Sequence, residues 1–575
     1  MEQCRLWLLA GVFALSGCAA FERAPQQAPE QAPEAVAPEV VPEDPPETRP
    51  GSASAWVMSG ELALRRGNYE RALESFARAI ELTLEPDVAQ RATEVALTLG
   101  YDELALSAAQ RWVALAPRRT DARQVLVVLQ LRAGDQQAAR QSLATLLEHS
   151  GEGAGETLLA LRDSLVQDVE PLSSALALLE ELTGEYGQLA ELHYVRAAVA
   201  HRAGELVLAK TAIDEARRLS PEWVDPLVLQ ARVLVARDEP DAAIAVMEQG
   251  LRDHPGDDTL RLAYGRLLFE MGREDEAQGE LERLVEANPS QADAIRLLGL
   301  LALEQARFDD AHDYFMRLLQ LGSHANEAYY YLGSLEMGQG NEATAMRWLS
   351  QVREGRHVLP ARILLAEALG QTGNLAAARE LLRQMREARP DARLALFEAE
   401  GQLLYNQGRY QSASELYDQA LQEFSDNRTL LYGRALSLER LDRLDEVERD
   451  LRRMLAEDPD DPLALNALGY TLADRTTRYE EALGYIARAL EQQPDNPAII
   501  DSMGWVKYRL GEYEAAEQYL RRAYEMADDP EIAAHLGEVL WVTGHREEAR
   551  EIWRHAMENF PDSDVLRQTV QRLKD

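Results

Sequence analysis

From Trp56 onward, apolar side chains fall in short stripes with helical spacing, taken in pairs about a turn residue, and the pair recurs every ~34 positions. The turn positions are Gly67, Gly100, Gly134, Gly204, Asp238, Gly272, Ala306, Gly340, Gly373, Gly408, Asp442, Gly511 and Gly544, each five residues before a small residue that opens a second helix. Two intervals, of 70 and 69 residues, are double periods. Filling them predicts about 15 helical hairpins, which use up the chain from Ala55 to its end. A single hairpin cannot bury its own apolar stripe, so neighbours must cover it and an end unit needs a lid. Ser563 to Asp575 places Val565, Leu566, Val570 and Leu573 on one helical face and is the expected lid.

The units resemble the tetratricopeptide repeat. One reads Leu465, Leu468, Gly469, Leu472, then Ala482, Ile486, Ala489 and Pro494. The next reads Ile500, Met503, Gly504, then Ala516, Leu520 and Ala523, and the last reads Ala533, Leu536, Gly537, Leu540, Ala549, Trp553, Ala556 and Pro561. Tyr329, Leu332, Gly333, Ala311 and Phe315 fit the same template in the middle of the chain. Small residues let the paired helices approach, while large ones fill the gap to the next unit. The resemblance implies an all-α fold, a right-handed superhelical solenoid closed by a C-terminal capping helix. The signature lapses between Gly151 and Leu189, so residues 55–190 read as degenerate helical repeats and 191–562 as regular ones, with 563–575 as the cap. The GEGAGE start of that lapse reads as a flexible joint, and a bend between the two blocks is expected.

Ahead of the repeats the pattern changes twice. Leu6 to Ala14 is an apolar run too short to span a bilayer and behind Arg5, which reads as a secretory signal over residues 1–17. Leu15-Ser16-Gly17-Cys18 resembles the bacterial lipobox, which implies cleavage before Cys18 and lipidation of its thiol, palmitate included. Ala19 in the following position implies, by the same resemblance, transfer to the outer membrane with the body of the protein facing the periplasm. Residues 18–54 then form the anchor and a linker with eight prolines between Pro25 and Pro50. At ~3.1 Å per residue such a stretch reaches about 90 Å, enough to hold a folded body off a membrane.

Composition narrows the function classes. Ninety-eight acidic side chains against 60 basic ones give a net charge of −38, which repels nucleic acid and favours basic surfaces. Both cysteines, Cys4 and Cys18, precede the repeats, so the body has no thiol nucleophile, disulfide or cysteine zinc site. The ten histidines include no pair at the i, i+4 spacing of a helical metal motif; His535, His545 and His555 stand ten apart. The glycines recur singly rather than clustering into a phosphate loop, and no G-x-S-x-G elbow occurs. No catalytic, cofactor or metal site is expected, and the protein is read as non-enzymatic.

What remains is surface. In the tetratricopeptide family the first helix of each unit lines a concave groove. Carrying over its groove positions places Phe269, Tyr330, Tyr405, Tyr432, Tyr470, Trp505, Tyr508 and Trp541 there. Aromatic anchors in a concave site are the usual hot spots for a partner chain; packing among themselves is the alternative. Tyr470, Trp505, Tyr508 and Trp541, from three consecutive units, form the best single candidate. Glu327, Glu398, Asp474 and Asp501 would make the groove suit basic segments. The lysine and asparagine clamp by which some members hold a peptide carboxylate is missing, with only Asn466 at such a position and Asp501 and Ala534 following it.

Length, lipobox, proline linker and the stretch from Leu465 to Ala523 are similar to a proteobacterial family of outer-membrane adaptor lipoproteins, the LbcA and NlpI type. That resemblance implies a partner, a periplasmic carboxyl-terminal processing protease, and delivered substrates that include peptidoglycan hydrolases. The alternatives are a structural lipoprotein scaffold for an exopolysaccharide or pilus secretion complex, and a cell-wall synthase activator.

Overall fold

The computed structural model describes residues 52–561 and 563–574; Cys18, the signal and most of the linker lie outside them. Every α-helix among the described residues belongs to one series, numbered α1 (Ala53–Arg65) to α31 (Asp564–Lys574) in chain order, and no strand occurs there. The first thirty pair into fifteen antiparallel hairpins and the last stands alone. The expected all-α solenoid of hairpins with a terminal helix is the fold observed.

The thirteen turn positions share a conformation. All of them have φ between 55° and 95°, the left-handed region where glycine carries no Cβ penalty. The period therefore marks a backbone requirement that Asp238, Ala306 and Asp442 meet at a cost of about 1 kcal/mol each. In the two double-period gaps the chain turns differently. Asp168 to Pro171 joins α7 (Ala154–Gln167) to α8 (Leu172–Tyr186), and an extended Thr476 leaves α25 (Pro462–Arg475) for α26 (Tyr479–Gln492).

Close approach of paired helices rests on small residues. A Cβ added at Gly504, on α27 (Pro497–Arg509), would stand 2.6 Å from Leu520 of α28 (Tyr513–Met526). Gly537 on α29 (Pro530–Thr543) likewise abuts the indole of Trp553 on α30 (Arg546–Asn559), a ring 2% exposed.

The described chain divides into two compact units, one running to Tyr314 and the other from Phe315. The stretch with the lapsed signature lies inside the first. There Leu143, Leu146, Leu147, Leu158, Leu161, Leu165, Leu178, Leu179 and Leu182 form a continuous apolar core with Leu192 and Val195 of α9 (Ala190–Arg202). In the second unit one core runs from Phe397 to Val506 and another from Ala516 to Val570.

The terminal helix covers the second core as expected, with Leu566 and Val570 buried and Leu573 packed against it. Val565 departs from the expectation, being 37% exposed and bordering a cavity. The reason is helical register. Residues 566, 570 and 573 form the stripe that meets the core, whereas 565, 568, 569 and 572 form a second stripe one position away and face open space.

Candidate partner-binding groove

The helices that matter start the same way. Asp461 before Pro462, Asn496 before Pro497 and Asp529 before Pro530 each turn a side-chain oxygen onto the first free backbone N–H groups of α25, α27 and α29. Asn427 does so for α23 (Arg428–Arg440), without the proline. Capping fixes where each helix begins, and with it which residues of four successive hairpins point to one side.

On that side, within the second unit, lies a cavity of about 1050 Å3. Tyr405 of α21 (Arg393–Asn406), Tyr432 and Glu439 of α23, Asn466, Tyr470 and Asp474 of α25, and Asp501 and Trp505 of α27 border it. Glu531, His535 and Glu538 of α29 continue the wall, and Val565, Gln568, Thr569 and Arg572 of α31 complete it. A second cavity of about 320 Å3, lined mostly by apolar atoms between Ile363 and Leu436, shares Tyr432 and Leu436 with the first. Burial pushes the carboxyl groups of Glu367 and Glu398 upward there.

The wall of the large cavity is a polar network. His535 Nδ1 lies 2.9 Å from Asp501 Oδ2, and its ring stacks on Trp505 with centroids 4.1 Å apart. Burial opposes protonation of this imidazole, but Asp501, with Glu531 and Asp474 behind it, outweighs burial and pushes the group up to about 9. At neutral pH the imidazole therefore keeps its proton beside Asp501, and both side chains are nearly sealed from solvent. Tyr470 donates to Glu531 at 2.5 Å, and burial together with that carboxylate raises the phenol far above its usual value. Trp505 Nε1 donates to Asp474 at 3.2 Å. Tyr508 donates to Glu538 at 3.1 Å, and Arg572 donates to the same carboxylate at 2.5 and 3.1 Å. The side-chain oxygen of Asn466 is buried in the wall without a hydrogen-bond partner.

The expected aromatic residues divide among several places. Tyr405, Tyr432, Tyr470 and Trp505 border the large cavity. Tyr508 and Trp541 are absent from its lining. The Tyr508 ring leans toward Tyr513, 5.9 Å away, while Trp541 packs 5.7 Å from Trp553 under the guanidinium groups of Arg546 and Arg550. Trp505 itself is only 5% exposed, so it shapes the wall rather than standing free in the cavity. Tyr330 is buried, stacked on His357 at 4.8 Å and edge-on to Tyr331. Phe269 belongs to the first unit and packs against the core around Tyr264 and Leu268. Of the acidic residues, Asp474 and Asp501 reach the large cavity and Glu398 the smaller one, whereas Glu327 sits 3.3 Å from Arg356.

The Asp501–His535 pair was not legible as a site from residue types, though a signal was present. The two residues stand 34 apart, one period, and so hold the same position on neighbouring units. Glu538 and Arg572 are also 34 apart. Among the described residues no group of three histidine or carboxylate side chains is arranged to hold a metal ion, and no helix is long and apolar enough to cross a membrane.

Family profiles described as tetratricopeptide repeat match residues 45–87, 234–301, 296–356, 359–384, 398–446, 448–497 and 502–564. The chain is 34% identical over 467 residues to the TPR repeat-containing protein PA4667 of Pseudomonas aeruginosa, a match covering 81% of this chain and 79% of that one. Among solved structures, a chain of the APC/C hetero-tetramer Cut9-Hcn1 aligns over 91% of this chain and 97% of its own length, at 15% identity and a TM-score of 0.35. Yeast Tom70 aligns over 91% of this chain and 95% of its own, at 12% identity and a TM-score of 0.30.

Proposed function

Because the chain belongs to the tetratricopeptide-repeat proteins, we propose that it is a non-enzymatic adaptor that captures other proteins in its groove. The observation that carries this reading is the cavity of about 1050 Å3 built across five successive hairpins and the terminal helix, in a chain whose described helices are hairpins of the repeat closed by one terminal helix. Within that class, the lipobox at Cys18 and the proline-rich linker support a lipid-anchored protein of the outer membrane facing the periplasm. Resemblance to the LbcA type supports a specific role: binding and activating a periplasmic carboxyl-terminal processing protease and delivering peptidoglycan hydrolases to it.

The mechanism is physical. A scaffold that holds protease and substrate together replaces a dilute encounter with an intramolecular one, at effective concentrations up to about the mM range for short tethers. Opposite charge on a basic hydrolase would speed its capture by a chain of net charge −38.

The experiment is an affinity purification of the tagged full-length chain, solubilised from membranes, with the bound proteins identified by mass spectrometry. Recovery of a carboxyl-terminal processing protease together with cell-wall hydrolases is the expected result. Recovery of polysaccharide-export or pilus components would replace the protease role with the secretion-scaffold role, and recovery of nothing specific would remove the adaptor reading. Cys18→Ala should move the protein from the membrane fraction to the soluble one; a variant that stays with membranes would overturn the lipid anchor.

A further inference from the structure

The large cavity has a charge pattern that singles out one kind of occupant. Seven carboxylates border it, Glu439, Asp442, Asp474, Asp501, Asp529, Glu531 and Glu538, against Arg440, Arg475, Arg572 and His535. Six of the seven are engaged. Asp442 pairs with Arg475, Asp474 accepts from Trp505, Asp501 pairs with His535, Asp529 caps α29, Glu531 accepts from Tyr470, and Glu538 accepts from Arg572 and Tyr508. Glu439 is the exception. It is half-buried in the wall with neither an ion pair nor a hydrogen bond among the described residues. Its carboxyl group is pushed upward by burial, with Glu531 and Asp474 adding to the effect against Arg440 and Arg475.

A second, independent observation shows what this wall accepts. Arg572, carried in by the chain's own last helix, lays its guanidinium on Glu538, a carboxylate only 3% exposed. One arginine is thus already seated at one end of the cavity. Glu439 borders the same cavity as Tyr405, Tyr432 and Tyr470, rings of the kind a guanidinium or ammonium group stacks on, and its charge adds to burial in raising the Tyr432 phenol. The unpaired Asn466 oxygen adds an acceptor that suits a donor from a peptide backbone or side chain. A cavity of about 1050 Å3 matches the upper end of ligand sites, about 300–1,000 Å3, and takes a short stretch of chain rather than one side chain. A phosphate backbone or a peptide carboxylate meets the wrong sign of charge here: seven carboxylates face three arginines and one histidine, Arg475 and Arg572 are committed to Asp442 and Glu538, and Arg440 is turned onto the Tyr405 hydroxyl and the Tyr410 ring.

We infer that this cavity receives an extended, arginine- or lysine-bearing segment of a partner protein, with one cationic side chain seated beside Glu439 and against Tyr432. The inference rests on reading the groove as a partner site and names the chemistry of the segment it takes. Glu439 is a recognition residue. Removing its charge without changing its shape weakens capture of the cation and leaves the hairpins intact, since it makes no hydrogen bond or ion pair among the described residues.

The test uses the full-length chain in detergent and a fluorescein-labelled peptide of alternating glycine and arginine, read by fluorescence anisotropy at physiological salt. The expected result is saturable binding that Glu439→Gln weakens about tenfold, the loss of one charge-assisted contact. Glu547→Gln, which removes one charge from an exposed residue of α30, should leave affinity within about twofold, as expected of a solvent-screened site. Equal weakening by both variants, or by neither, overturns the proposal, because binding would then follow the overall charge or lie elsewhere. A matching glycine and glutamate peptide should not bind; if it does, the cation requirement fails. If purified partners are retained undiminished by Glu439→Gln, the adaptor reading stands and this site falls. If the arginine peptide binds at Glu439 but no partner is recovered from cells, the site stands and the adaptor reading falls.

Discussion

The leucine block between Val127 and Val199 and the groove wall between Asp461 and Trp541 use the same hairpin and fill it differently. The first buries eleven leucines at 0–1% exposure in one apolar cluster. The second buries Asp461, Asp501, His535 and Glu538 as well as Leu468, Leu472 and Leu540. Buried ions lose hydration that their mutual attraction only partly offsets, so an apolar wall of similar shape would be at least as stable. The difference therefore separates two roles of one architecture. The leucine block is cohesion between neighbours, whereas the groove wall holds fixed charges and rings around an open space.

The largest expected effect tests whether cohesion is equally local in both regions. Trp553→Ala removes a fully packed indole from beneath Gly537 and should cost about 3–5 kcal/mol. Because each hairpin touches only its neighbours, the loss should show as faster hydrogen exchange in α29 to α31, with α7 and α8 unchanged. Leu161→Ala is the counterpart in the leucine block. It should cost about 2–4 kcal/mol, open α7 to α9 to exchange, and leave affinity for the arginine peptide within about twofold. Transmission of either loss through the whole chain would mean that the array unfolds as one cooperative body.

A smaller effect belongs to the groove wall alone. His535 has its folded value raised to about 9 from an ordinary 6.5, so the folded state holds the proton more tightly than the unfolded chain does. The stabilisation is complete below about pH 6.5 and is lost as pH rises through 9. It amounts to about 3 kcal/mol across that window, at 1.36 kcal/mol per unit. Exchange protection in α27 and α29 should fall between pH 7 and pH 9.5 after correction for the intrinsic rate, while α7 holds. Protection that rises with pH in α29 would reverse the sign of the argument.

How much of this was legible in the sequence depends on what each residue had to do. The turns could be read even at Asp238, Ala306 and Asp442, because a fixed period and a backbone turn left them no freedom. The terminal helix was legible as a cover, but one residue of its assumed face, Val565, sits on the neighbouring stripe, since a short amphipathic helix leaves register ambiguous by one position. Repeat position placed Tyr405, Tyr432, Tyr470 and Trp505 at the cavity; it could not say where a side chain turns once it leaves the backbone. Tyr508, three residues after Trp505, bends to Glu538 and Tyr513, and Trp541 lies down on Trp553. The buried ion pairs stayed hidden for a different reason. Charged residues in so acidic a chain look like solvated surface until the partner one period away is brought alongside.

The smallest stability effect sharpens the comparison most. Replacing Asp501 and His535 together by leucine converts this part of the groove wall to the chemistry of the leucine block. Both side chains are nearly sealed, at 5% and 6% exposure, and each satisfies the other, so removing both leaves no orphaned charge. Stability at pH 7 should change by less than about 1 kcal/mol, since the lost ion pair and the gained apolar burial roughly cancel. The dependence of α27 and α29 protection on pH between 7 and 9.5 should disappear, because the titrating group is gone. Asp501→Leu alone should be far worse than the double change, leaving His535 buried beside no counter-charge of its own. A double variant destabilised as much as the single one would show that Trp505, stacked on the imidazole at 4.1 Å, needs that ring for its own placement. The groove wall would then be a shape held by His535 rather than a charge pattern laid over ordinary repeat packing.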